Sequence, residues 1–282
     1  MSRSPHRNSE RVWFITGTSS GFGRSIAEEV IRRGERVVAT ARDPRSLSEL
    51  VALAPERVLS LALDVTKPAE IQSAVQAARE HFQTIDVLVN NAGFSMVGAV
   101  EETSDAELRN ALETMFFGPV SLTRALLPHW RERGTGTVVQ ITSVGGLTTA
   151  PGFGPYCAAK HALEAISESL AAEVEPLGIR VLIVEPGAFR TSLFGSAFRS
   201  MPPLDAYAPT VGGTRAYAES EAGKQLGDPD KAARAIVDAV SEGAPTLRLP
   251  LGADAVAGIR GKLARVSADV DQTEAIAKAT AF

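Results

Sequence analysis

Short apolar runs alternate with longer segments of helical period along almost the whole of this chain. The runs fall at 12–15, 37–41, 58–63, 87–89, 138–141, 179–184 and 247–251 and are nearly continuous in hydrophobicity, as strands covered on both faces are. Between them, helical spacing predicts helices over 22–33, 45–53, 68–82, 104–132, 155–175 and 229–241. That alternation builds right-handed crossovers, and it predicts an α/β fold with a doubly wound parallel sheet and helices on both faces. Ser104-Asp105-Ala106-Glu107 has capping-box spacing and marks a helix start, and Gly134 and Gly136 punctuate the exit. No repeat of short period and no long linker interrupts the pattern, so 11–282 is read as a single domain.

Two segments depart from the pattern. Over 188–228, Pro202, Pro203, Pro209, Gly212, Gly213, Gly223 and Gly227 interrupt aromatic and apolar residues, which predicts an irregular lid over a site or else a plain surface excursion. The Ala-rich stretch 252–282 reads as a C-terminal extension of one or two helices. Residues 1–10 are polar, without the apolar core of a signal peptide, and read as a loose tail.

Composition narrows the classes of function. A net charge of −4 with no block of Lys and Arg excludes a nucleic-acid footprint and a polybasic membrane patch. The apolar runs are too short to span a bilayer. Cys157 is the only cysteine, so an intrachain disulfide is excluded and a cytoplasmic location fits. The four histidines have no metal-ligand spacing, and no metal is expected.

The chemistry lies in two places. Tyr156 and Lys160 stand four residues apart within a predicted helix, which sets both on one face. A phenol with a pKa of about 10 needs roughly 4 kcal/mol of anion stabilisation to titrate at about 7. One ammonium at about 4 Å supplies this at an effective dielectric of about 20. Far upstream, Thr16-Gly17-Thr18-Ser19-Ser20-Gly21-Phe22-Gly23 joins the first strand to the first helix, where backbone amides and a helix N-terminus suit a pyrophosphate.

With Asn90-Asn91-Ala92-Gly93, Ser143 thirteen positions before Tyr156, and Pro186-Gly187, these residues resemble the short-chain dehydrogenase/reductase family over about 11–191. The sequence around 39–43 and 116–128 looks closest to its 17β-hydroxysteroid and retinol dehydrogenase-like branch. The resemblance implies a Rossmann fold with seven parallel strands in the order 3-2-1-4-5-6-7. It implies catalysis by Ser143, Tyr156 and Lys160, with Tyr156 carrying the proton and Lys160 lowering its pKa and binding the nicotinamide ribose. The cofactor is implied to contact Gly17, Thr18, Ser19, Ser20, Gly21, Phe22 and Gly23, with Asp64 and Val65 at adenine. Asn91, Ala92 and Gly93 would support the adenosine half, with Ile141, Pro186, Gly187 and Thr191 at the nicotinamide. A homodimer or homotetramer through 104–132 and 155–175 is also implied.

The end of the second strand bears on which cofactor is read. Ala41 occupies the position at which an acid would bind the ribose diol, and Arg42 beside it suits a 2′-phosphate, so NADP(H) is preferred. Shifted by two residues, Asp43 would instead favour NAD(H). One departure from the family is Met115, where an Asn usually orders a water chain to the lysine. A thioether donates nothing, so either backbone and water replace that relay or proton exchange is slow; in a second reading, compatible with either, Met115 simply fills the core.

Taken together, these features predict hydride transfer between NADP(H) and a small-molecule ketone or secondary alcohol. Phe189, Phe194, Phe198, Met201, Leu204 and Tyr207 would give a lid an apolar inner surface, favouring a hydrophobic substrate, or would pack the lid onto the body. The competing reading is a dinucleotide-binding redox sensor without turnover. Hydrolysis through Ser143 is disfavoured, because no nucleophile-elbow Gly pattern surrounds it. Cys157 points about 100° away from Tyr156 around the helix and reads as packing.

Overall fold

A computed structural model of the protein describes residues 10–195, 197–243 and 246–281. The tail expected at 1–10 therefore lies outside the described residues apart from Glu10. The strands are β1 (Val12–Ile15), β2 (Arg36–Ala41), β3 (Val58–Ala62), β4 (Val87–Asn90), β5 (Ser95–Val97), β6 (Gly136–Ile141), β7 (Ile179–Pro186), β8 (Phe198–Ser200) and β9 (Arg248–Leu251). The helices are α1 (Gly21–Arg32), α2 (Ser48–Leu53), α3 (Pro68–Phe82), α4 (Asp105–Leu112), α5 (Gly118–Arg133), α6 (Gly154–Val174), α7 (Ala208–Ser220), α8 (Pro229–Glu242) and α9 (Ala253–Lys278).

Seven strands form one parallel sheet in the order β3-β2-β1-β4-β6-β7-β9. With β5 and β8 paired separately, this is the expected Rossmann order within one domain. The alternation of side chains explains the continuous apolar runs. Trp13 and Ile15 of β1 enter a core shared with α1, α2 and α8, while Val12 and Phe14 enter one shared with α3, α5 and α6. Both faces are covered, so the strands are built largely of apolar residues, and polar groups that do lie there are paired: Asn90 donates to Gln140, and Glu185 accepts from Arg248. Trp130 of α5 is fully buried and donates its indole N–H to the Ile85 carbonyl at 2.7 Å.

Two differences from the sequence reading concern the region around the site, and one open reading, of one or two C-terminal helices, is resolved. The helix expected over 104–132 is broken into α4 and α5 by a π-helical turn at Glu113–Phe117, which carries Met115. The segment 188–228 is not irregular throughout: it contains β8 and the thirteen-residue α7. Pro209 sits in the first turn of α7, where its missing N–H has no helical partner to lose, and Gly212 and Gly213 face open space. The C-terminal extension is a single helix, α9, whose last four turns are exposed.

The capping box is present as read. Ser104 Oγ accepts from Glu107 N, and the Glu107 carboxylate accepts from Ser104 N at 3.0 Å. Ser104→Ala is expected to cost about 1 kcal/mol, visible as a lower denaturant midpoint at unchanged slope.

Candidate active site

The glycine turn hangs between the ends of three strands. Thr16 Oγ1, just past β1, accepts the backbone N–H groups of Asn91 and Ala92, each at 2.9 Å, and the Asn91 side chain donates back to the Thr16 and Gly17 carbonyls. Thr18 is fully buried and donates from both N and Oγ1 to the Thr40 carbonyl of β2. Gly17 holds φ +69°, a left-handed conformation that side chains resist, and a Cβ on Gly23 would stand 2.3 Å from the Gly17 carbonyl oxygen. Ser20 makes no side-chain cap for α1, and the first turn contains no acidic residue. The first-turn amides are therefore left to an anion in the cleft.

That cleft has a volume of about 420 Å³ and runs the length of the carboxyl edge of the sheet. Gly17, Ser19, Ser20, Gly21 and Phe22 line its middle, and Arg42, Asp64 and Val65 line one end. Asn91, Ala92, Gly93 and Ile141 form its floor, with Ser143, Tyr156 and Lys160 at the other end and Pro186, Gly187 and Thr191 alongside. Thr18 and Gly23, expected to touch the cofactor, do not line the cleft. They sit behind the turn and set its shape, because the tight packing that suits them there faces Thr40 and Gly17 rather than solvent.

At the Arg42 end, Ala41 closes β2 and lines the cleft. Asp43 turns elsewhere: its carboxylate accepts from Arg45 N and from the Arg45 guanidinium, capping the short 3₁₀ turn Pro44–Leu47. Arg42 has no ion pair within 4.0 Å among the described residues. Burial works against the charge of Asp64, but hydrogen bonds from Thr66 and the nearby Lys67 and Arg42 hold its carboxyl below the usual range.

At the other end, α6 sets Tyr156 and Lys160 on its buried face. Lys160 Nζ donates to the Ile141 carbonyl at 2.9 Å and lies 5.9 Å from the centre of the Tyr156 ring. Burial pushes the Tyr156 phenol up to about 12, with the Ser143 hydroxyl opposing it. Burial also brings the Lys160 ammonium down to about 8, and the charge of Glu164 opposes that loss. The protein's own groups therefore do not acidify the phenol as the four-residue spacing suggested. Both groups are desolvated, and the ammonium is spent on a backbone carbonyl rather than on the phenol oxygen. Ser143 has extended backbone, and its Oγ accepts from Gly145 N at 3.0 Å.

Met115 is buried in a cluster with Phe94 and Tyr156, and its side chain packs against Gly93. It fills the core at the cleft floor, as one of its two readings held. Cys157 is buried, its thiol pushed up to about 11 by desolvation, and it packs at Gly145.

Of the segment 188–228, only residues between 189 and 199 line the cleft, and of the six side chains expected on its inner surface only Phe189 does. Phe189 lines it and meets Phe22 at 5.2 Å, and Ser192 Oγ lies 2.9 Å from Ser20 Oγ. Phe194 packs with Phe153, Phe198 and Tyr217, Met201 is buried under Gly98, Leu204 is exposed, and Tyr207 reaches Glu101. These five pack the segment onto the body or face solvent, and none lines the cleft. Residues not singled out from the sequence do: Phe94, Asn110, Leu193, Ala197 and Arg199, whose guanidinium sits 3.8 Å above the Phe94 ring. Strand alternation in and beside β8 turns residues 197 and 199 to the cleft and 198 away. A three-residue strand is too short for that alternation to be read in advance.

Among the described residues, no three His, Cys, Asp or Glu side chains gather to hold a metal ion, and no helix is long and apolar enough to cross a membrane. The free amides at α1, the long cleft and a cation at its far end fit a dinucleotide of the NAD(P) type.

Residues 11–201 match the model of the short chain dehydrogenase family. An oxidoreductase from Botryotinia fuckeliana is 38% identical over 266 residues, 93% of this chain and 96% of that protein. A solved short-chain dehydrogenase from Streptomyces avermitilis is 48% identical and superimposes with a TM-score of 0.92 over 98% of this chain and 100% of its own. Another, from Burkholderia cenocepacia and solved in complex with NADP, is 25% identical with a TM-score of 0.73 over 93% of this chain and 96% of its own. The sheet order, the glycine turn and these relatives agree: the chain belongs to the short-chain dehydrogenase/reductase family of NAD(P)-binding oxidoreductases.

Proposed function

We propose that the protein is an NADP(H)-dependent carbonyl reductase or alcohol dehydrogenase acting on a ketone and secondary-alcohol pair. The observation that carries the reading is one cleft with Ser143, Tyr156 and Lys160 at one end and, at the other, Arg42, which has no ion pair among the described residues. Arg42 and the first-turn amides of α1 would hold the dinucleotide, with Lys160 at its inner ribose. Bound there, the nicotinamide would supply the hydride. Ser143 would hold the carbonyl oxygen, and Tyr156 would protonate it. A phenol at about 12 is fully protonated near neutrality, which suits it to the acid role of reduction.

For the substrate, Phe94, Leu193 and Ala197 offer apolar contact, while Asn110 and Arg199 offer polar contact at the same end. A ketone with an apolar body and a polar periphery fits this lining better than a wholly apolar one. Phe117 of the π-turn and Ile166 of α6 are exposed, which supports a homodimer or homotetramer through these helices.

The test follows NADPH absorbance in the presence of a panel of ketones. Consumption of NADPH that depends on the ketone supports the reading; cofactor binding with no oxidation across the panel would favour the redox sensor. Reduction also has an expected pH dependence with a definite sign. Lys160 loses its proton as the pH rises through about 8, while Tyr156 keeps its own, so kcat for reduction is expected to be level at neutral pH and to fall above about 8. A rate that rises through that range would contradict the assignment.

A further inference from the structure

Tyr156, Lys160, Glu164 and Glu168 follow one another at intervals of four along α6. Side chains so spaced lie about 6 Å apart along the axis on nearly one face. The stripe passes from a buried phenol and a buried ammonium to the Glu164 carboxylate, 4% exposed, and ends at Glu168, 56% exposed. It joins the reacting end of the cleft to solvent.

Glu164 is held at one oxygen only. Oε2 accepts from Arg248, whereas Oε1 is buried with no partner among the described residues. Gly146 packs closely beside it, and a Cβ there would stand 2.8 Å from Oε1. A buried carboxylate oxygen without a donor is costly, and such atoms mark an exchanging proton or an ordered water. The charged groups around Glu164 are Lys160 and Glu168 on α6, Arg248 on β9 and Glu185 on β7. Arg248 binds Glu164, Glu168 and Glu185 together, one guanidinium against three carboxylates. The cluster is thus rich in negative charge beside the Lys160 ammonium.

We propose that Glu164 exchanges protons with Lys160 through its unpartnered oxygen and, by way of Glu168, connects the Tyr156–Lys160 pair to bulk water, a task that the Met115 thioether cannot perform. The proposal rests on the hydride-transfer reading above. In reduction, the proton that leaves Tyr156 Oη for the product oxygen is replaced from Lys160 Nζ through an intervening water, because Nζ donates to the Ile141 carbonyl and not to Oη. Nζ regains a proton by way of the Glu164 carboxylate, which takes it from water through Glu168 and passes it on. Only protons move. No ion pair within 4.0 Å joins Lys160 to Glu164, so that step passes through a bridging water. Arg248 stays charged and holds the carboxylates in place without carrying the proton. Glu164 does not line the cleft and is a positioning and relay residue.

Glu164→Gln keeps the side-chain volume and an oxygen for Arg248 but removes the exchangeable proton. Its kcat for ketone reduction with NADPH is expected to fall roughly tenfold, less than the hundredfold or greater effect of removing the positioned acid itself, with both KM values held. Imidazole, as a small diffusible acid, is expected to restore turnover in proportion to its concentration. Met115→Asn is expected to relieve the same defect in the E164Q background. Glu168→Gln, at an exposed position safe for folding, is expected to show a milder loss that imidazole also relieves. Full activity of both Gln variants overturns the proposal, as does a loss that neither imidazole nor Met115→Asn relieves. If the wild type oxidises no NADPH with any ketone, the underlying reading fails and takes this proposal with it; an active wild type beside an equally active Glu164→Gln sinks the proposal alone.

Discussion

Tyr156→Phe is expected to lower turnover with NADPH and a ketone by roughly a hundred- to ten-thousandfold, the range over which a positioned acid accelerates proton transfer. The change removes one hydroxyl and leaves the ring in its cluster with Phe94 and Met115, so the fold is expected to stand. Cofactor binding, read as the rise in unfolding temperature with added NADPH, is expected to persist, because the glycine turn and Arg42 are remote along the cleft. The combination separates a chemical role from a structural one. A variant that loses turnover together with its thermal response to NADPH would show that the phenol supports the site rather than the reaction. Turnover close to that of the wild type would remove Tyr156 from the mechanism altogether.

Arg42→Glu is expected to reverse the cofactor preference. A charge-assisted contact to a phosphate is worth roughly 1.5–3 kcal/mol, and exposure of the Arg42 guanidinium places the effect toward the lower end. NADPH affinity is therefore expected to fall by at least about tenfold, while NADH, which lacks the 2′-phosphate, is expected to bind as well or better. The reversed charge adds repulsion to the lost attraction, and raised salt is expected to narrow the difference. Titration of both cofactors at two ionic strengths checks this. An unchanged ratio would mean that Arg42 does not read the phosphate. Asp43→Asn then serves as the comparison: the carboxylate is committed to Arg45, so its loss is expected to move the ratio little.

Legibility differed between the two ends of the cleft. The glycine turn was readable because each of its requirements is local: a strand before it, a helix after it and glycines where the backbone needs them. Thr18 and Gly23 show the limit of that reading, since position within a motif does not say which side chains face outward. Arg42 and Asp43 are adjacent, and spacing could not choose between them. The folded turn adds that Arg45 draws the Asp43 carboxylate into a cap. The residues 188–228 were hardest, because prolines and glycines hid α7 and a three-residue strand decided which side chains reach the cleft.

From the sequence alone came the doubly wound sheet, the anion-binding turn and the Tyr156–Lys160 pairing on one helix face, all of them consequences of hydrophobic period and short-range spacing. The tertiary structure alone decided the electrostatics of that pair, because burial is a property of everything packed around a group. Desolvation raises the phenol and lowers the ammonium where spacing suggested only attraction. It also decided the company of Glu164, an unremarked helix residue in the chain, which meets Arg248 and Glu185 only because β9 and β7 are neighbours in the folded sheet.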